Sequence, residues 1–208
     1  MRKIFFDFDG TLVNISEKYF NIYDDFMRMR NKQPLEKEEY WQLKRAGRMD
    51  SSLSEQDVRM YKDFFVSVIE TEKYCVHDIL FPHVEDVLNE LSETYELYLL
   101  TLRHNKEVFE KEWKKLGIEH FFKKVICVNS LSTSTMENHE VKAQVLASYA
   151  HPEDVIVGDS CADILSGKKL GLCTIGVTTG VMDEDRLGAL HPDILSNDIL
   201  SIKSSLLY

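Results

Sequence analysis

Short apolar runs alternate with amphipathic segments along most of the chain. Residues 4–10 form an aromatic run that ends in glycine, which is typical of a buried strand. Further strand-like runs are predicted at residues 96–101, 125–128, 155–157, 173–177 and 193–195, and helical segments at 84–91, 106–116, 137–149, 162–170 and 198–206. This alternation predicts an α/β fold, with a parallel sheet covered by helices in a three-layer, Rossmann-like core.

A long helical region interrupts this pattern directly after the first strand. Phe20, Tyr23 and Phe26 recur at helical spacing, and residues 61–69 contain a second apolar face of the same kind. The region is too long for an ordinary connection between two strands of one sheet. We therefore predict a core formed by residues 1–13 and 82–208 and a separate helical domain formed by residues 14–81.

Composition and charge narrow the classes of function. The 208 residues include 25 basic and 35 acidic side chains, a formal net charge of −10, which argues against broad binding to nucleic acid or to an anionic membrane. The four cysteines form no CxxC pair, and the N-terminal region lacks the uncharged run of a signal peptide. We expect a cytoplasmic protein without a membrane segment, without nucleic-acid partners and without an evident obligate protein partner.

Two acidic clusters follow predicted strands. Asp7 and Asp9 lie within the first strand-like run, two residues apart, so that both carboxylates are expected near its C-terminal end. Asp159 and Asp163 directly follow the run at residues 155–157. Parallel strands end at the same sheet edge, so these carboxylates are expected to converge there. An all-oxygen site of this kind suits a hard cation, and Mg²⁺ fits best when a phosphate supplies further oxygens.

The segment from Asp7 to Leu12, with the sequence DFDGTL, resembles the nucleophile motif of haloacid dehalogenase-like hydrolases. Three further motifs of the family occur in the family's order: a strand that ends at Thr101, a helix that contains Lys142, and the acidic segment 158–163. The inserted helical region is similar to the C1-type cap of phosphoglycolate phosphatase-like and β-phosphoglucomutase-like members. The resemblance implies a phosphatase that acts on a small phosphorylated metabolite.

The resemblance also implies roles for individual residues. Asp7 is expected to form an aspartyl-phosphate and Asp9 to act as general acid and base. The expected Mg²⁺ ligands are Asp7, the backbone carbonyl of Asp9, and Asp159, supported by Asp163. The expected phosphate- or substrate-binding residues are Gly10, Thr101, Leu102, Arg103, Lys142 and, from the cap, Arg48. The carboxyl group at Asp9 argues against dehalogenation, because dehalogenase members lack it.

Several alternatives stay open at this point. A phosphomutase of the β-phosphoglucomutase type shares every core residue, and a catalytically silent phosphate-binding module is a third possibility. A phosphonate-cleaving relative would need a cap lysine such as Lys44. Arg48 is as compatible with an ordinary solvated surface as with substrate binding, and Arg103 as compatible with an ion pair to a surface acid. An ordinary solvated lysine is the less favoured alternative for Lys142.

Overall fold

Six parallel strands form the central sheet of the protein. The structure is a computed structural model and describes residues 1–128 and 136–207. The strands of the chain are β1 (Lys3–Phe6), β2 (Val13–Asn14), β3 (Ile79–Leu80), β4 (Glu96–Thr101), β5 (Phe122–Cys127), β6 (Val155–Gly158), β7 (Cys173–Val177) and β8 (Ile194–Ser196). The order across the sheet is β5-β4-β1-β6-β7-β8. This arrangement confirms the predicted α/β fold with a parallel sheet.

Helices cover both faces of the sheet. The α-helices are α1 (Ser16–Met29), α2 (Lys37–Arg45), α3 (Glu55–Val68), α4 (Glu72–Cys75), α5 (Val84–Ser92), α6 (Lys106–Leu116), α7 (Asn138–Leu146), α8 (Cys161–Leu170), α9 (Glu184–Gly188) and α10 (Ile202–Leu207). Short 3₁₀ helices occur at Met49–Ser52 and Glu119–Phe121. Among the described residues, no helix is both long and apolar enough to cross a membrane.

Strand β1 shows how the alternation of side chains builds two cores. Ile4 and Phe6 pack into a cluster with residues of α5 and α6, whereas Phe5 points to the opposite face and packs with residues of α7. All three side chains are fully buried. A strand that is buried on both faces has an uninterrupted run of apolar residues in its sequence, as Ile4, Phe5 and Phe6 do here.

The first strand is shorter than predicted, because it ends at Phe6 and not at residue 10. The carbonyl oxygen of Phe8 accepts hydrogen bonds from the N–H groups of Leu12 and Val13, at 3.0 and 3.1 Å, and Gly10 has a φ of +81°. The chain therefore turns sharply, and Asp7 and Asp9 lie in this turn and not within the strand. Strand β5, in contrast, begins three residues earlier than predicted, because the exposed lysines of an edge strand hide its pattern.

Four helices, α1 to α4, lie between two short strands that pair with each other. β2 and β3 are antiparallel, with Val13 opposite Leu80 and Asn14 opposite Ile79. The helices enclose an aromatic core of their own, in which the hydroxyl groups of Tyr40 and Tyr61 are 3.0 Å apart. A helical unit thus begins and ends at one two-stranded ladder.

Gly167 provides a test of the packing between α8 and the sheet. A Cβ atom at this position would lie 2.7 Å from Cγ2 of Thr174 and also against Cγ2 of Ile156. Gly167→Ala is expected to lower the free energy of unfolding by about 1–3 kcal/mol, because overpacking outweighs the better helix propensity of alanine. Urea denaturation measures the change.

Gly188→Ala is the matched control for this substitution. The nearest atom to a Cβ at this position is Cδ2 of Leu195 at 3.6 Å, an ordinary contact. We expect a change within about 0.5 kcal/mol. Equal effects of the two substitutions would contradict the proposed close packing at Gly167.

Candidate active site

The predicted acidic residues meet at the C-terminal edge of three adjacent strands. β4, β1 and β6 are neighbours in the sheet. Thr101 is the last residue of β4, Asp7 directly follows β1, and Asp159 directly follows β6. The N–H group of Asp7 still donates to the carbonyl oxygen of Val157, at 2.9 Å, so that the turn after β1 is fixed to β6. Loops at this edge are where open parallel sheets bind ligands.

Lys142 of α7 connects two of these carboxylates. Its side chain is buried, and its Nζ atom donates to Oδ1 of Asp7, at 2.5 Å, and to Oδ1 of Asp163. The second oxygen of Asp163 accepts from the hydroxyl group of Ser160, at 2.6 Å, and from its N–H group, at 3.2 Å, as a capping box at the start of α8. Asp163 therefore fixes the lysine that contacts Asp7, and Lys142 is not a solvated lysine.

Asp7, Asp159 and Asp163 form a buried cluster of carboxylates. One oxygen from each lies within 4.8 Å of the others. Oδ2 of Asp159 accepts from the N–H group of Val181 at 2.6 Å. A Cβ atom at Gly10 would lie 2.5 Å from the same oxygen, so that the turn after β1 approaches Asp159 through a residue without a side chain.

Burial perturbs the ionisation of this cluster. Burial, together with nearby Asp163 and Asp9, raises the pKa of Asp7 to about 7 against the opposing effect of Lys142. Burial and the neighbouring carboxylates also raise the pKa of Asp159 well above its usual range. Lys142 is the cation that the cluster contacts, and its pKa is raised by Asp163 and Asp7 in spite of burial. Three buried carboxyl groups face one lysine in this cluster. Their oxygen atoms are a set of ligands that fits a hard divalent cation such as Mg²⁺.

Asp9 binds a different pair of cations. Arg103 donates from Nε to Oδ2 at 2.6 Å and from Nη2 to Oδ1 at 2.7 Å, and Nζ of Lys18 lies 2.9 Å from Oδ1. Burial alone would raise the pKa of Asp9, but Arg103 and Lys18 outweigh it and hold the pKa well below its usual range. The side chains of Asp7 and Asp9 therefore have different cationic partners, although the residues are two positions apart.

Arg103 is buried at the centre of an ion cluster that includes residues from the helical unit. Besides Asp9, its guanidinium contacts Asp78 at 2.9 Å and Glu112 at 3.2 Å. Nζ of Lys18 also lies 2.5 Å from Asp78. Of the two expectations for Arg103, the ion pair is observed, but it is buried and it binds the predicted acid–base residue.

Lys18, Asp78 and Glu112 were not predicted from the sequence. A signal was present for Lys18, since it lies between Ile15 and Ile22 in the apolar stripe of α1, where a charged side chain needs a buried partner. Asp78 had no comparable signal, because it follows a short helix in an irregular segment.

A cavity of about 410 Å³ lies over the strand ends, between the sheet and the helical unit. Seven of the predicted site residues line it: Asp7, Asp9, Thr101, Leu102, Arg103, Lys142 and Asp159. Gly10 and Asp163 do not line the cavity but contact residues that do. Gly10 lies against Asp159, and Asp163 accepts a hydrogen bond from Lys142. Arg48 is exposed and is not among the lining residues, so its contact with substrate stays a prediction.

Two polar contacts fix the helical unit over this cavity. The carboxylate of Glu70 accepts from the N–H groups of His104 and Asn105, at 3.0 and 2.7 Å, at the start of α6. On the other side, Nη2 of Arg45 donates to the carbonyl oxygen of Thr178 at 2.5 Å. Both contacts join the helical unit to loops at the C-terminal edge of the sheet, and neither was predicted.

Comparisons with known proteins agree with this geometry. The family described as haloacid dehalogenase-like hydrolase matches residues 4–177. Pyrophosphatase PpaX of Oceanobacillus iheyensis is 24% identical over 97% of this chain and 95% of its own. Phosphoglycolate phosphatase of Vibrio cholerae is 29% identical over 58% of this chain and 54% of its own.

Solved structures show the same fold. A haloacid dehalogenase-like hydrolase from Streptococcus pneumoniae superimposes with a TM-score of 0.74, at 23% identity, over 99% of this chain and 98% of its own. The chain belongs to the haloacid dehalogenase-like hydrolase family.

The buried charge on Lys18 predicts a large loss of stability when it is removed. Lys18→Met leaves Asp9 and Asp78 with one cation fewer in a buried cluster. Removal of one partner of such a cluster is expected to cost about 3–5 kcal/mol in the free energy of unfolding, measured by urea denaturation. The control is Lys37→Met, because Lys37 pairs with Glu17 on the surface, where about 0–1 kcal/mol is expected. A similar small loss for both variants would contradict the buried cluster.

The raised pKa of Asp7 predicts how Mg²⁺ affinity depends on pH. Below about pH 7 the metal-free Asp7 holds a proton, which must leave when the carboxylate binds a cation. Affinity is therefore expected to rise with pH up to about 7, by up to about tenfold per pH unit for this one proton, and the contribution of Asp7 then levels off. Isothermal titration of the protein with MgCl₂ between pH 5.5 and 8.5 measures this. An affinity that is constant over the range would contradict it.

Proposed function

We propose that this chain is a Mg²⁺-dependent phosphatase that hydrolyses a small-molecule phosphate monoester through an aspartyl-phosphate. The observation that carries the proposal is the buried Asp7 carboxylate beside Lys142 and Asp159, at the floor of a cavity, in a member of the haloacid dehalogenase-like hydrolase family. The relatives named pyrophosphatase and phosphoglycolate phosphatase support phosphoryl chemistry. Four free cysteine side chains fit a reducing cytoplasm.

Residues of the core would hold the proposed metal ion. Carboxylate oxygens of Asp7 and Asp159 and the backbone carbonyl of Asp9 would be its ligands, and Asp163 would support the site through its contact with Lys142. When bound, the ion neutralises negative charge on the phosphoryl group and on the carboxylates around it. Lys142 adds a second positive charge at the same point, and the hydroxyl group of Thr101 binds a phosphoryl oxygen.

The chemistry takes place in two displacements at phosphorus. In the first, an oxygen of Asp7 forms a bond to phosphorus, the bond from phosphorus to the ester oxygen breaks, and Asp9 gives a proton to that oxygen. In the second, water attacks phosphorus, Asp9 accepts a proton from the water, and the bond to Asp7 breaks to release phosphate. Arg103 and Lys18 favour the ionised form of Asp9, which is the form that accepts the proton in the second displacement. The first displacement needs the protonated form of Asp9, which the same two cations disfavour.

The helical unit of residues 14–81 acts as the cap in this proposal. It covers the cavity with α1 and α3, and Glu70 and Arg45 join it to the core. Exclusion of bulk water strengthens the interaction of Lys142 with the phosphoryl group. A cavity of about 410 Å³ accommodates a metabolite and excludes a folded protein substrate.

Replacement of the nucleophile tests the proposal. Asp7→Asn removes the attacking carboxylate and is expected to lower the rate of phosphate release from p-nitrophenyl phosphate with MgCl₂ by at least about 10³-fold. The control is Asp63→Asn, an exposed residue of α3, which is expected to keep the rate of the unsubstituted protein.

Two results would contradict this assignment. Full turnover by the Asp7→Asn protein would show that Asp7 is not the nucleophile. Phosphate release by the unsubstituted protein that is independent of Mg²⁺ after treatment with a chelator would contradict the role of the metal. Turnover in water without an added sugar bisphosphate distinguishes the hydrolase from a phosphomutase.

A further inference from the structure

The cavity has two chemically distinct halves. Asp7, Asp159 and Lys142 lie at the phosphate-binding half. The other half, where the remainder of a substrate would lie, is formed largely by Ile15, Tyr19, Phe65, Val66 and Ile69 of the helical unit. Tyr19 comes from α1, Phe65 and Val66 come from α3, and Ile69 directly follows α3. Burial raises the pKa of Tyr19 and so keeps its hydroxyl group neutral. This second half is an apolar surface with one phenol.

The cations that line the cavity are already paired. In the described part of the chain, Lys142 and Arg103 are the lysine and arginine among the lining residues, and both bind carboxylates. Residues 129–135, with the sequence NSLSTST, contain no lysine or arginine. The apolar half therefore offers no lysine or arginine that is free to bind a second anionic group.

The basic residues of the cap lie elsewhere. Lys44 lines a separate cavity of about 120 Å³, with its ammonium group 5.2 Å from the ring centres of Tyr19 and Phe65. Arg48 is exposed and is not among the residues that line the catalytic cavity. Neither residue is among the lining residues of the apolar half. The Lys44 ammonium group does lie against the rings of Tyr19 and Phe65, where it occupies a cation–π contact.

A carboxylate is present at the same end of the cavity. Glu70 lies directly after Ile69 and lines the cavity, and its partners are two backbone N–H groups and Nδ1 of His104, at 2.7 Å. A second anionic group on the substrate would approach this carboxylate without a lysine or arginine to compensate. Burial of a charged group against apolar side chains adds a further cost.

We infer that the substrate is a phosphate monoester whose leaving group is uncharged and has an apolar or aromatic face. This inference rests on the proposed phosphatase function and narrows its substrate class. Phosphoglycolate carries a carboxylate on its leaving group and pyrophosphate a second phosphoryl group, so the chain differs in preference from the activities in its relatives' names. Tyr19 and Phe65 provide aromatic surface for contact with such a leaving group.

The test compares three substrates at a constant concentration of free Mg²⁺. Benzyl phosphate and phosphoglycolate are both esters of a primary alcohol, but only phosphoglycolate has a charged leaving group, and pyrophosphate is the second charged compound. We expect kcat/KM for benzyl phosphate to exceed that for each charged compound by at least about tenfold, since unmatched burial of a charge is strongly selective.

A gain of specificity is tested with Val66→Lys. Val66 lines the apolar half and is 60% exposed, so a lysine fits there without loss of the fold. The new ammonium group is expected to raise kcat/KM for phosphoglycolate and pyrophosphate by about tenfold, which corresponds to one charge-assisted contact of about 1.4 kcal/mol. Val76→Lys is the matched control, because Val76 is 57% exposed and does not line this cavity, and it is expected to leave all three values unchanged.

The outcomes separate this inference from the proposed function. Hydrolysis of phosphoglycolate or pyrophosphate as fast as benzyl phosphate, with the Asp7→Asn protein inactive, would overturn the inference and leave the phosphatase function intact. The same gain in the Val76→Lys and Val66→Lys proteins would overturn the assignment of the apolar half as the leaving-group site. Phosphate release from none of the three compounds, nor from p-nitrophenyl phosphate, would overturn the proposed function and this inference with it.

Discussion

The contact of Lys142 with Asp7 and Asp163 is the interaction on which the C-terminal edge of the sheet depends. Three buried carboxyl groups within 4.8 Å of one another repel each other when ionised, and a single buried lysine compensates only part of that charge, so the pKa values of Asp7 and Asp159 are raised. The cluster is stable because α7 brings Lys142 to it and the capping box of α8 fixes Asp163. Under the proposed function a divalent cation would compensate the rest, so that the same charge balance would serve both folding and chemistry.

A second charge cluster joins the helical unit to the core. Arg103 and Glu112 come from the core, whereas Lys18 and Asp78 come from the helical unit, and Asp9 lies between the two groups. Their contacts are buried, so that water screens them little. The orientation of the Asp9 carboxylate is therefore set by residues of both parts of the chain.

Much of the fold and part of the site could be predicted from the sequence. The order of strands and helices in the core follows from apolar runs such as residues 155–157, and the convergence of Asp7 with Asp159 follows from parallel strand ends. The end of the first strand was placed too late, because Phe8 continues the apolar pattern while its carbonyl oxygen already closes a turn. The partners of Asp9 could not be inferred, since Asp78 and Glu112 are distant in sequence and their positions depend on how the helices pack.

The antiparallel pair β2 and β3 has a consequence for how such proteins diversify. The chain leaves the core at Asn14 and returns at Ile79, and these two residues lie opposite each other in the ladder. An insertion whose ends are adjacent can be lengthened, shortened or exchanged without displacing β1 or β4, because its span across the junction stays the same. The helical unit can therefore change in length or sequence while the sheet and the residues at its C-terminal edge keep their geometry.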